Sequence, residues 1–229
     1  MQELNWDDIV IVGDSFARCR NELTHWPLLL TLRLTGEQYS HDRVLRGKGI
    51  GGASWWSTRN CLLSELRSFP IKVLIICHTE HSRIPSEQDL GLNAGGIVSN
   101  NSYTKNGKVI VGDKIAKAAL EYYKELFNPK FSIWAQERWY EELDGLIEKH
   151  QIPYVIHMHC FNNEENKLYK FRNGTTGTEI LSNFAAGMGP ETPNHFLPET
   201  NIRIADALYD NLINYTNTAT VKSLNLFDN

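Results

Sequence analysis

Ile9, Val10, Ile11 and Val12 form an unbroken run of apolar, β-branched residues, and Gly13-Asp14-Ser15 follows at once. Branching at Cβ favours extended backbone, and a run this short has strand length. Residues 72–77 (Lys-Val-Leu-Ile-Ile-Cys) are also nearly all apolar. A strand without polar alternation is buried on both faces, so helices must cover the sheet from each side. The chain supplies them. Helices are expected over residues 28–34, after Pro27 and stopped by Thr35-Gly36, and over 55–69, ended by Pro70. Three more are expected over 114–127, 132–150 and 199–214, and further strands at 43–46 and 153–160. Strands alternating with helices make an α/β fold, a three-layer α/β/α sandwich on a mostly parallel sheet. Residues 1–215 read as one domain with an insertion at 85–113, rich in Gly, Asn and Ser; 162–193 read as irregular. Residues 216–229 read as a polar, weakly ordered tail.

Composition narrows the function classes. The 229 residues carry a net charge of -4 and no basic tract, which argues against nucleic acid as a partner. No apolar run has the length of a membrane span. The acidic start, Met1-Gln2-Glu3-Leu4-Asn5-Trp6-Asp7-Asp8, lacks the apolar core of a signal peptide. Cys19, Cys61, Cys77 and Cys160 are scattered without CxxC spacing, as expected of reduced thiols. The expectation is a cytoplasmic protein, or one delivered without a Sec signal, with no cofactor. The oligomeric state is not legible.

Ser15 stands where a strand gives way to a turn, at the carboxyl edge where open α/β sheets place their sites. Backbone N–H groups at a helix start favour developing negative charge, which suits a nucleophile. A plain helix cap uses the same residue types. A serine nucleophile needs a base, and His195, in a loop just before the last helix, is the candidate. The α/β-hydrolase elbow G-x-S-x-G does not fit, because Ala17 stands where its last glycine belongs and Ser15 follows the first strand.

Taken together, Gly13-Asp14-Ser15, Gly49-Ile50-Gly51-Gly52-Ala53-Ser54, and His195 followed by Leu197, Asn201 and Ile204-Ala205 resemble the blocks of the SGNH (GDSL-like) hydrolases, in that family's order. The resemblance implies a flavodoxin-like sheet and an esterase or deacylase mechanism. Ser15 would be the nucleophile and His195 the base, with the Ser15 and Gly52 backbones holding the oxyanion. It suggests a small-molecule or carbohydrate ester as substrate, with O-acyl groups on a sugar as one form. Two positions depart from the family pattern. Thr79 stands where the family has an oxyanion Asn; its shorter hydroxyl can still donate. Thr192 stands where an Asp orients the histidine, leaving Glu191, a backbone carbonyl or a Ser–His dyad to serve. These departures motivate the alternative of a non-catalytic module that binds a glycan or a protein through residues 85–113.

A metal-dependent hydrolase is the rival chemistry. His157 and His159 share one face of a strand, near His78, Glu80 and His81, and imidazoles with a carboxylate can hold zinc. The same residues can line a polar pocket or satisfy buried hydrogen bonds. His78, Glu80, Arg83 and Asp14 are candidates for contacting substrate; Arg83 could bind an anionic group or form a surface ion pair. Trp55, Trp56, Trp134 and Trp139 are expected in the core, with stacking on sugar rings as the alternative.

Overall fold

The computed structural model describes residues 4–19, 24–40, 43–85, 91–92, 104–105, 108–109, 113–162, 169–187, 195–214, 222–224 and 226. Its strands β1 (Ile9–Gly13), β2 (Val73–His78), β3 (Tyr154–His159), β4 (Thr175–Ile180) and β5 (Lys222–Leu224) lie side by side in that order, and every pairing is parallel. The helices are α1 (Trp26–Thr35), α2 (Trp55–Leu66), α3 (Asp113–Glu121), α4 (Pro129–His150) and α5 (Pro198–Ile213).

Side-chain alternation along the strands builds two cores. Ile9, Ile11, Val73, Ile75, Ile156 and Met158 pack with Trp26 and Leu30 of α1 and Ile204, Leu208 and Leu212 of α5. Val10, Val12, Leu74, Ile76 and Val155 pack on the other face with Leu62 of α2 and Trp139, Leu143 and Ile147 of α4. Two-sided burial is the reason these strands read as continuous apolar runs. The result is the expected α/β/α sandwich. No helix among the described residues is long and apolar enough to cross a membrane.

Three expectations change. The strand expected at 43–46 is only an edge strip, held to β1 by bridges from Val10 to Arg46 and from Gly13 to Gly49. Gly47, at φ +82°, lies so close to Ile11 that a Cβ would meet its carbonyl oxygen at 2.3 Å, and the backbone kinks there. The irregular stretch 162–193 contains β4, whose sequence Thr-Thr-Gly-Thr-Glu-Ile has too few apolar residues to announce a strand. The tail contributes β5, which pairs with β4 and buries Leu224 and Leu226. An edge strand needs few apolar anchors, so two leucines in a polar tail suffice. Within the expected insertion, Ile84–Pro85 pairs with Gly91–Leu92 and Thr104–Lys105 with Lys108–Val109; the rest lies outside the described residues.

The chain leaves β1 for the edge strip on one side and then crosses to β2 on the other. Such a reversal of strand order opens a crevice at the carboxyl ends of the strands, where ligands bind in open α/β sheets. Residues 14–15 and 79 follow the two strands that flank it.

The α4 side of the sheet also carries a polar core. The His157 ring stacks on Phe171 with centroids 3.7 Å apart, and His78 stacks on the same phenyl ring at 5.0 Å. His157 Nε2 meets the Asn173 carbonyl at 3.0 Å, and its Nδ1 meets His78 Nε2 at 3.0 Å. A carbonyl only accepts, so His157 carries its proton on Nε2 and Nδ1 accepts from His78 Nε2–H. Burial pushes the His157 pKa down to about 3, and burial with the neighbouring histidines holds His78 well below its ordinary value. The unfolded chain takes up a proton near pH 6.5, whereas folded His157 stays neutral until much lower pH. Stability is therefore lost as pH falls through that window, by about 2 kcal/mol from His157 alone between about pH 7 and about pH 5. Urea unfolding at the two pH values checks this. His157→Gln is expected to be less stable at neutral pH yet to lose less on acidification; an equal loss would show that His157 is not the source.

Candidate active site

The nucleophile turn is shaped by close backbone approaches. A Cβ on Gly13 would meet the Cys77 carbonyl at 2.5 Å, so only glycine lets β1 end against β2 here. Asp14 then caps the 3-10 turn Ser15–Ala17, its Oδ1 accepting the Phe16 N–H at 2.9 Å. Trp26 Nε1–H donates to the Phe16 carbonyl at 2.8 Å and ties the turn to α1. The cap and the candidate nucleophile are thus different residues. Asp14 caps, and the half-buried Ser15 hydroxyl lies 2.8 Å from His195 Nε2.

His195 is held in an unusual backbone conformation, with φ +71°. Such a conformation in a non-glycine residue costs about 1 kcal/mol or more and persists only where surrounding contacts impose it. Those contacts are present. The Ala186 N–H donates to the His195 carbonyl at 2.8 Å, and Phe196 is buried against Phe16. Buried Asn201 of α5 donates to the Phe196 and Leu197 carbonyls and accepts the Trp26 N–H at 3.0 Å. One amide side chain therefore joins the histidine loop to the start of α1.

A hydrogen bond with the Gly187 backbone raises the His195 pKa. A bond that favours the charged ring is one the ring donates, so the Gly187 carbonyl is the acceptor. With Nε2 facing Ser15, the donor is Nδ1–H, and Nε2 is left to accept the serine proton. Burial outweighs this bond and the pull of Asp14, and with the charges of Arg83 and Arg18 it holds His195 below its ordinary value. Glu191 and Thr192, the side-chain candidates for orienting the ring, lie outside the described residues. A backbone carbonyl has no side-chain signature, so this partner was legible only as an unassigned alternative.

The glycine turn sits against the nucleophile turn. A Cβ on Gly49 would lie 2.1 Å from the Ala17 carbonyl carbon, and Gly52 adopts φ +72°. Thr79, just after β2, is buried; its carbonyl accepts from Gln136 Nε2–H of α4 at 2.8 Å, and its hydroxyl has no hydrogen-bond partner among the described residues. A buried, unsatisfied hydroxyl is rare and costly, and here it stands at the position assigned to an oxyanion donor.

Asp14, His78 and Arg83, three of the residues expected to touch substrate, are buried and held by protein partners. Asp14 is fully buried, and burial raises its pKa against the pull of Arg83. Its Oδ1 also accepts the Cys160 thiol at 3.1 Å. Arg83 is buried rather than on the surface. It faces Asp14 at 3.5 Å and Glu80 at 3.0 Å, donates to the Ala53 carbonyl at 3.3 Å, and lies over the Phe161 ring. This one guanidinium links the nucleophile turn, the glycine turn and the loop after β2. His78 is buried and bonded to His157. Both nitrogens of His157 are engaged, and no group of three His, Cys, Asp or Glu among the described residues could hold a metal, so the geometry does not favour the zinc alternative. Of the tryptophans, Trp139 is in the core as expected, whereas Trp56 and Trp134 are 40% and 52% exposed.

Removing one partner of a buried ion pair strands the other charge, at a cost of about 3–5 kcal/mol. Arg83→Met is expected to destabilise by that order in urea unfolding, and Asp14→Asn in the same chain to recover part of the loss. A loss below about 1 kcal/mol would show that the pair carries little weight. Comparisons of the chain with protein-family models, with curated proteins and with solved structures find no match, so the reading of the site rests on its residues and their geometry.

Proposed function

We propose that the protein is a serine hydrolase of SGNH type that cleaves an ester through an acyl-enzyme. The observation that carries this reading is the 2.8 Å contact between Ser15 Oγ and His195 Nε2, with the other ring nitrogen on a backbone carbonyl. His195 takes the serine proton as Oγ attacks the ester carbonyl and then protonates the departing alcohol. The Ser15 and Gly52 backbone N–H groups and the Thr79 hydroxyl hold the oxyanion. Water, activated by the same imidazole, releases the acid. The Gly187 carbonyl fixes the tautomer that an aspartate would otherwise select, without adding a full negative charge beside the ring. An ester of a small molecule or carbohydrate is the substrate class that accompanies the resemblance.

Hydrolysis of p-nitrophenyl acetate tests the reading. Ser15→Ala is expected to lower kcat by at least about 10³ and to abolish labelling by a fluorophosphonate. Equal rates for wild type and variant, with no labelling of wild type, would sink it. Thr79→Val, close in shape, is expected to cost about 10² in kcat with little change in KM, as for one lost oxyanion donor. The catalytic form of His195 is neutral, and its pKa lies below the ordinary value. The acid limb of kcat/KM is therefore expected below about pH 6.5, activity being lost as pH falls through the lowered pKa. A limb at or above that pH would contradict the assignment of His195 as base.

A further inference from the structure

We infer that Gln136 and Ser132 of α4 are positioning residues for the oxyanion hole, holding the loop after β2 so that the Thr79 hydroxyl is presented to the oxyanion. This inference rests on the hydrolase reading, because the step it assists is the attack by Ser15.

The ladder between β2 and β3 ends where the Cys160 N–H donates to the His78 carbonyl at 2.9 Å. Thr79 is the first residue beyond it. Its own carbonyl is taken by α4, where Gln136 Nε2–H donates at 2.8 Å. Gln136 is buried, so water does not compete for this bond. One helical turn earlier, Ser132 Oγ–H donates to the His81 carbonyl. Residues four apart share a helix face, so a single stripe of α4 holds two carbonyls of the loop. Tyr123, in the turn after α3, donates its hydroxyl to the next carbonyl, that of Ser82, at 2.7 Å.

A held backbone accounts for the state of the hydroxyl. Threonine hydroxyls ordinarily bond to a nearby backbone group when the chain can adapt. The Thr79 hydroxyl is buried and has no such partner among the described residues. Threonine is stiff at χ1, so the direction of its hydroxyl follows the backbone that carries it. With the Thr79 carbonyl fixed by Gln136 and the His81 carbonyl by Ser132, the loop is not free to turn and satisfy the hydroxyl internally. A donor left unpaired in the resting protein gains its partner when negative charge develops on the ester oxygen. That difference lowers the barrier and does not merely tighten substrate binding.

Hydrolysis of p-nitrophenyl acetate by single and double variants tests the inference. Gln136→Met, similar in length and without a donor, is expected to lower kcat about tenfold with little change in KM, as for a displaced catalytic group. In the Thr79→Val protein the same substitution is expected to lower kcat by about twofold or less, because the hydroxyl it serves is gone. Its cost in urea unfolding is expected to be the same in both backgrounds, so a purely structural role would not reproduce the difference. Ser132→Ala repeats the cycle at a less buried position, with an expected loss of about threefold that likewise disappears without the hydroxyl. It decides the matter if Gln136→Met does not fold. An unchanged kcat in either variant, or an equal loss with and without the Thr79 hydroxyl, overturns the inference while the Ser15-dependent turnover of wild type leaves the hydrolase reading standing. A wild type with neither turnover nor fluorophosphonate labelling overturns both.

Discussion

Asp14 is a carboxylate with no solvent contact, and the carboxyl edge of the sheet is assembled around it. A charge removed from water is tolerated only when other groups replace the water. Here they come from three parts of the chain: the Phe16 N–H of its own turn, the Cys160 thiol after β3 and the Arg83 guanidinium after β2. Each partner is drawn towards the residue preceding Ser15. The requirement to satisfy one buried charge therefore also brings the site together.

The parallel sheet makes this convergence possible. Parallel strands all point their carboxyl ends the same way, so the loops after β1, β2 and β3 emerge at one edge. Glycines 13 and 49 allow main chains to approach more closely than any side chain would permit. Arg83 then crosses between the loops, reaching Asp14, Glu80 and the Ala53 carbonyl. Backbone contact sets the spacing, and the buried ion pair resists its loosening.

The histidine is held by different means. Asn201 uses both ends of its amide to join the loop after His195 to the start of α1, and the Gly187 carbonyl orients the ring. The base is thus positioned by main-chain and amide groups, with the Asp14 carboxyl acting on it only through its field. A neutral acceptor stabilises imidazolium less than a carboxylate does, in keeping with the lowered pKa. The strained φ at His195 marks where these constraints compete with local backbone preference.

The apolar runs at β1 and β2, the prolines before α1 and α4 and the glycine turn were enough to indicate a parallel α/β sandwich, because period and turn chemistry are local properties. Ser15, Gly52 and His195 were legible for the same reason: each sits at a junction that residue type marks. β4 and the edge strand β5 were hidden, since both are held by backbone pairing and carry few apolar side chains. The burial of Asp14, Arg83 and His78 was not legible because a polar residue looks the same in sequence whether it faces solvent or a buried partner. The Gly187 carbonyl has no sequence signature, since it is main chain. The sequence by itself determined the elements and the junctions where chemistry could sit. Only the tertiary structure decided which polar groups face each other, because that depends on distances between segments far apart in the chain.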